Sequence, residues 1–243
     1  MQPILQSHIP YDTTELRLPG TRPLGTENWL LRDDAFAAQM ALRDRLIAQS
    51  RERVIGLLPE GQAAALELLD TVLRHLGADA GYIVLAEAVR RPDGVMVTLD
   101  RSDPLGTLGR LVQSDFCLLE KTEGQAEHVL TGAVLCFPAG WTLAEKLGRP
   151  LIRIHKPVPA YDETLAKRVQ RLFDGVQVGR PLWRFNHLGY VDPALFQPRR
   201  EGENKYGAKR EHRYIRSERQ TMLRLPETGA VVFGIHTFVV AKP

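Results

Sequence analysis

Six consecutive residues, Ile154-His155-Lys156-Pro157-Val158-Pro159, set one imidazole between a strand-like run (Leu151-Ile152-Arg153-Ile154) and two prolines. Each proline fixes its own φ at about −65° and pushes the residue before it towards extended geometry. Lys156 and Val158 are thereby stiffened, and a ring leaving such a backbone holds its nitrogens in a fixed direction. A metal ligand needs that rigidity. A histidine at a strand end that hydrogen-bonds a loop carbonyl fits the same six residues, so the motif alone leaves both readings open.

The remaining histidines are scattered. His8 lies in an irregular N-terminal segment, and His75 stands near a predicted helix C-terminus, where it complements the local dipole. His128 opens a predicted strand, His212 sits in a charged loop, and His236 falls inside the last strand. His187 is the rival to His155, because it follows Trp183-Arg184-Phe185-Asn186 in a predicted strand. Cys117 and Cys136 both lie in apolar runs without metal-binding spacing and read as small buried hydrophobes in a reducing compartment. With no Cys-x-x-Cys cluster, this chain cannot itself hold an iron–sulfur centre or a cysteine-ligated zinc. Gly-x-Ser-x-Gly, a phosphate-binding glycine loop and His-Glu-x-x-His are all missing. The glycines of Leu105-Gly106-Thr107-Leu108-Gly109 lack the strand-to-helix context of a dinucleotide site, so NAD(P) is not expected on this chain.

Composition narrows the class further. The 243 residues are 44% hydrophobic and 25% charged, enough apolar material for a sizeable core. A formal charge of +3 is too small to argue for nucleic acid. The basic excess is local, crowded between Arg199 and Arg219 and interrupted by Glu201, Glu203, Glu211 and Glu218, as in a solvated loop. No apolar run approaches a membrane span and no leader pattern opens the chain, so a cytoplasmic, membrane-free protein is expected.

The elements that must position these residues follow from periodicity. Residues 1–30 are broken by proline and glycine, but spaced apolar residues such as Ile4, Leu5, Ile9, Trp29 and Leu30 predict an arm that packs on the body. A helix is predicted from Asp33 or Asp34 to about Ser50, after which residues 51–55 lead into a loop at Pro59. A second helix runs from Ala64 to Leu76 with one apolar face and stops at Gly77. Strands are predicted at 82–89, 94–99, 116–121, 129–137 and 181–188, and helices at 104–112, 141–147 and 161–174. The clearest hairpin is 214–225 with 230–240, joined at Pro226-Glu227-Thr228-Gly229. The result is an α+β fold around an antiparallel sheet. Residues 1–80 form an N-terminal arm and helical extension and residues 81–243 the core, within one structural domain.

Four stretches in order carry a resemblance. They are Phe137-Pro138-Ala139-Gly140-Trp141 with Lys146-Leu147-Gly148, then Ile154–Pro159, then Trp183-Arg184-Phe185-Asn186, then Arg216-Ser217-Glu218-Arg219-Gln220-Thr221-Met222-Leu223-Arg224-Leu225-Pro226. Over about residues 8–240 the chain resembles the haem-dependent oxidative N-demethylase α-subunit family. The resemblance implies a PAS-like antiparallel sheet with flanking helices, cupping haem b. It also implies O2-dependent demethylation of a small secondary amine such as dimethylamine, with electrons from NADPH through FMN and a [2Fe–2S] cluster on separate reductase chains. Such a division of labour agrees with a chain that lacks cysteine clusters and nucleotide loops.

Under that resemblance His155 becomes the expected proximal iron ligand, its other ring nitrogen held by an acceptor. An aromatic residue is usual where this chain has His187, so an altered pocket is one meaning of that difference. Arginine forks match haem propionates, which nominates Arg149 and Arg153 beside His155 and, less directly, Arg219 and Arg224. The last two, five residues apart, fall on opposite faces of a regular strand. Arg184 points away from Trp183 and Phe185 and is expected in the pocket, where its guanidinium would polarise oxygen. A small protonated amine would rest on the aromatic faces of Trp141, Tyr161 or Phe185, with Tyr161 as a hydrogen-bonding catalytic residue. Two other classes stay open: a haem or small-ligand sensor on the same scaffold, and a haem-free partner in which His155 merely packs.

Overall fold

The computed structural model describes residues 2–14, 20–25, 28–155, 163–203 and 211–242, with residues 163–166 described by backbone alone. A short strand, β1 (Arg22–Pro23), precedes helix α1 (Phe36–Gln49), which continues through a one-turn helix α2 (Arg51–Val54) into strand β2 (Ile55–Leu57). Residues 51–57 are thus ordered structure rather than a lead into a loop, because Ile55–Leu57 find a ladder partner in a distant strand. Helix α3 (Gln62–Leu76) stops at Gly77 as its periodicity predicts. The run 82–89 divides into β3 (Ile83–Val84) and β4 (Ala88–Arg90), which join β5 (Met96–Thr98) in a small sheet of their own.

Helix α4 (Pro104–Leu111) has a proline in its first turn and Asp103 as its cap, accepting from the Gly106 amide. Strands β6 (Asp115–Glu120) and β7 (Val129–Val134) follow, then the helices α5 (Leu143–Lys146), α6 (Leu151–His155) and α7 (Glu163–Gly175). Strands β8 (Leu182–Tyr190), β9 (Tyr214–Arg224) and β10 (Val231–Ala241) complete the chain. Among the described residues the main sheet has seven strands in the order β1-β8-β9-β10-β6-β7-β2, each antiparallel to its neighbours.

One prediction fails at the motif itself. Residues 151–154 are helix, not strand. Four residues are too few to separate a period of two from a period near 3.6. Leu151 and Ile154, three apart, both pack on the core, while Ile152 is 48% exposed, which is helical spacing. Pro150 precedes the turn and its carbonyl accepts the Ile154 amide at 3.0 Å.

The sheet has two covered faces. On the first, α1, α3 and α4 bury Met40, Leu68, Leu69, Val72 and Leu108 against Phe116, Leu118 and Val232. On the second, α5, α6 and α7 bury Leu143, Leu151, Phe173 and Val176 against Cys117, Leu119, Met222, Val231 and Ile235. The N-terminal arm packs on the body: the Gln6 amide donates to Val239 O at 2.9 Å, and Val239 N donates to Gln6 Oε1 at 2.8 Å. The β9–β10 turn is held by Glu67 of α3, whose carboxylate accepts the amides of Glu227 (2.7 Å) and Thr228 (2.8 Å), and Gly229 adopts φ 71°.

Two charged groups tie the elements together. Arg43 of α1 has no exposure; it donates to Asp115 Oδ1 at 2.6 Å and to the carbonyls of Gly109, Gln113 and Ser114. Asp115 in turn accepts the Cys136 and Phe137 amides, both at 2.8 Å. Asp33 accepts from Gln6 Nε2 (3.0 Å), Gln113 Nε2 (2.8 Å) and His236 Nε2 (2.8 Å). Burial opposes its ionisation, but His236 and the two amides outweigh that and hold the carboxyl below its ordinary value.

Removing one partner of a buried ion pair leaves an uncompensated charge. Arg43→Met is therefore expected to lower the free energy of unfolding by about 3–5 kcal/mol, read by urea titration. Asp33 gives a pH signature. Its folded pKa lies below the unfolded one, so its contribution is complete above about pH 4 and is lost as pH falls through the folded value. Stability measured on acidification should decline below about pH 4, and Asp33→Asn should flatten that decline.

Candidate functional site

Helix α6 is a single turn that carries His155 at its end. The ring's Nδ1 lies 2.9 Å from the Leu151 carbonyl oxygen, one turn back. A carbonyl only accepts, so Nδ1 bears the proton and the imidazole lone pair resides on Nε2. Burial pulls the ring's pKa below its ordinary value; the Leu151 carbonyl works against this, and the nearby Lys146 and Arg184 cations reinforce it. His155 is consequently a neutral, oriented imidazole with its basic nitrogen defined.

The wall that α6 faces is the second face of the sheet. Along β8 and β9, side chains alternate between faces, and the register pairs Arg184 with Gln220 and Asn186 with Glu218. These four polar side chains share the face that carries Met222 and Ile235. Arg184 Nη1 donates to Gln220 Oε1 at 2.8 Å, whereas its buried Nε has no hydrogen-bond partner among the described residues. Burial lowers the Arg184 pKa, with Glu218 opposing. Glu218 is 7% exposed; its Oε2 accepts from Asn186 Nδ2 at 2.8 Å and Gln220 Nε2 at 3.2 Å, and its Oε1 lies 3.6 Å from Arg216 Nη2. Arg216 itself donates to Phe137 O and Leu195 O, yet its Nε and the Thr237 hydroxyl are buried without partners among the described residues. Leu182, Phe233, Leu135, Ile154, Leu147 and Trp141 supply the apolar surroundings.

A buried donor without an acceptor costs about 1–3 kcal/mol. Two such guanidinium N–H groups on one face, beside an oriented imidazole and an apolar lining, are what an anion-bearing flat ligand would satisfy.

The other nominated residues separate. Arg153 lies on α6 and forks onto Glu201 at 3.0 and 3.1 Å, while Arg149 is exposed just before it. Glu201, held by Arg153 and Lys146, is pulled down to a pKa of about 2. Arg224 donates to the carbonyls of Phe173, Val176 and Gly229, so it caps the end of α7. Arg219 lies on the opposite face, over the Trp183 ring at 5.4 Å, and donates to the Asn28 and Trp29 carbonyls. Phe185 is on that opposite face too, against Tyr11 at 5.1 Å. By register with Ser217, His187 also belongs to the face away from His155. Tyr161 and the segment Lys156–Pro159 lie outside the described residues.

Sequence reasoning passed over Lys146, Arg216, Glu218, Gln220 and Asn186. The signal existed: Arg216, Glu218 and Gln220 sit two apart in a strand whose flanks are apolar, which places three polar groups on one inward face.

A family model described as haem-dependent oxidative N-demethylase, alpha subunit-like, matches residues 20–241. The chain belongs to this family. Its description carries haem dependence, and this chain's residues would suit that group: the neutral His155 imidazole could ligate its iron, the Arg184 and Arg216 guanidinium N–H groups could meet its carboxylates, and the apolar lining could cover its ring. Among the described residues no group of three or more histidine, cysteine, aspartate or glutamate side chains converges as a metal cage. A porphyrin supplies the equatorial ligands itself. Also among the described residues, no helix is long and apolar enough to cross a membrane.

Site and scaffold arginines should respond differently to substitution. Arg224→Met strands several helix-end carbonyls and should destabilise the chain by about 1–3 kcal/mol. Arg184→Met breaks one bond, to Gln220 Oε1, but also removes a buried Nε–H that has no partner among the described residues, so the two effects offset and the stability of the haem-free protein should change by less than about 1 kcal/mol. Urea titration of both variants measures the contrast.

Proposed function

We propose that this chain is the haem-binding catalytic subunit of an oxidative N-demethylase that removes a methyl group from a small secondary amine such as dimethylamine. The observation that supports the reading is the His155 ring, whose Nδ1–H donates to Leu151 O, an orientation that would suit Nε2 to an iron ligand's role. Bound haem b would supply the reducible iron on which O2 is used. The methyl carbon leaves as formaldehyde with one oxygen atom, and the other oxygen becomes water. A pair of electrons and a pair of protons come from a donor.

In this reading His155 holds the metal, and Arg184 uses its unpartnered Nε–H to orient an anionic oxygen, whether of the cofactor's edge or of the reacting gas. Glu218, with its oxygens already turned by Asn186 and Gln220, supplies negative charge that favours a protonated amine on this face. Trp141 offers an aromatic surface, and Tyr161 is proposed as the hydrogen-bonding partner of the amine. Arg149 remains the proposed propionate partner on the α6 side, while the Arg153 fork is taken by Glu201. NADPH, FMN and a [2Fe–2S] cluster are placed on separate reductase chains. The scaffold is taken as PAS-like, supported by the five central strands. In chain order β6, β7, β8, β9, β10, they lie second-first-fifth-fourth-third, with α5, α6 and α7 inserted between the second and third.

The visible spectrum tests this. After haem reconstitution, the native chain should show a Soret band that shifts when dimethylamine is added. His155→Ala should lose stoichiometric haem or shift the band. An unchanged spectrum in that variant overturns the assignment, and a band indifferent to every small amine points to the sensor class instead.

A further inference from the structure

A one-turn helix cannot sustain itself in water, and its last carbonyls need partners from elsewhere. Helix α6 is such a turn, and it carries the proposed iron ligand at its end. His128 O and the Glu127 carboxylate take its first amides, and what holds its C-terminal end is Lys146. The Lys146 side chain is 5% exposed, and its Nζ donates to the Ile154 carbonyl at 2.8 Å and to Glu201 Oε1 at 2.6 Å. Lysine is almost never so buried unless paired. Glu201 completes the grip: its two oxygens take the Arg153 fork, so one carboxylate holds α6 by a side chain directly and by its main chain through Lys146.

The anchor of that carboxylate is itself laced down. The Glu201 amide donates to the Glu145 carboxylate at 3.2 and 3.3 Å. Thr142 Oγ1 donates to Arg199 O at 2.7 Å, Gly140 N to Gln197 O at 2.9 Å, and Gln197 N to Pro138 O at 3.2 Å. The segment from 138 to 155 and the loop from 197 to 201 therefore move as one unit. Because the Leu151 carbonyl that orients the His155 ring belongs to the same turn, any shift of α6 moves the ring's anchor and its backbone together.

We infer that Lys146 and Glu201 form a clamp that positions His155, and that the buried Lys146 charge tunes the redox balance of the group His155 holds. The inference rests on the reading of His155 as the iron ligand. Neither residue is a catalytic residue; both act through α6. Within the cluster the charges are not equivalent. Arg153, 42% exposed at the side chain, is the most screened, Glu201 at 28% is less so, and Lys146 at 5% sits in a low-dielectric surrounding where a cation favours the reduced, less positive metal.

Removing a group that orients a metal ligand typically costs about 10–100-fold in affinity. Lys146→Met and Glu201→Gln should each speed haem loss to excess apomyoglobin by about that factor. Their midpoint potentials should move in opposite directions, down for Lys146→Met, which deletes a cation, and up for Glu201→Gln, which deletes an anion. A purely structural part would not produce that split in sign. Urea titration of the haem-free variants checks folding. Should Lys146→Met fail to fold, Lys146→Arg replaces it, with the native potential retained while Glu201→Gln raises it. Native rates of haem loss in both variants, or potentials that move in the same direction, overturn the inference. Its failure is separable from that of the haem assignment: the latter falls only if His155→Ala leaves the spectrum unchanged.

Discussion

A guanidinium sealed from water, Arg43, holds four segments that would otherwise have no reason to meet. Its fork reaches the end of α4, the loop after it and the first residue of β6, and Asp115 passes the connection on to the chain leaving β7. A buried charge tolerates no loose geometry, because each unmet donor would cost about as much as the hydrogen bond it replaces. The helical layer and the centre of the sheet are therefore fixed relative to each other before any functional group is considered. The second face can then carry the half-satisfied guanidinium groups of Arg184 and Arg216 on a scaffold that Arg43 and Asp115 hold from the other side.

That division explains why the chemistry gathers on one side. On β9, alternate residues serve opposite purposes. Arg219 reaches across the first face to hold Asn28 and Trp29, and Tyr11 donates to Ser217 on the same side, so the N-terminal arm is pinned there. Arg216, Glu218 and Gln220 turn the other way, onto the second face. Burial pushes the Tyr11 hydroxyl up to a pKa of about 12, which keeps it neutral beside the aromatic rings of Trp183, Phe185 and Phe238. The first face pairs Arg219 and Ser217 with backbone and arm, and among the described residues both faces hold buried atoms without partners: Trp29 Nε1 and His236 Nδ1 on the first, the Nε–H groups of Arg184 and Arg216 on the second.

How much of this was legible in the residues depends on the length of each pattern. The hairpin 214–225 with 230–240 was readable because eleven-residue alternation leaves little choice, and α3 because its apolar stripe spans four turns. Parity alone separated Arg219 from Arg224 and set Arg184 against its aromatic neighbours. The turn at 151–155 was misread as strand, since its helicity depends on Lys146 and Pro150 rather than on its own residues. Nothing local distinguished Lys146 from a surface lysine, and Glu201 looked like one acid in a charged loop. Their role is created by a contact across fifty-five residues of chain. The small sheet at β3, β4 and β5 was half read, because its strands are too short for alternation to divide them.

The β9–β10 turn has a consequence beyond its own geometry. Side chains on a strand exchange faces with every single-residue slip. If β9 were displaced by one position, Glu218 and Gln220 would swing to the arm's side and Arg219 would take their place. What forbids the slip is the closure of the loop by Glu67 and Gly229. An acid on α3 thus decides, by counting residues, which charges His155 confronts.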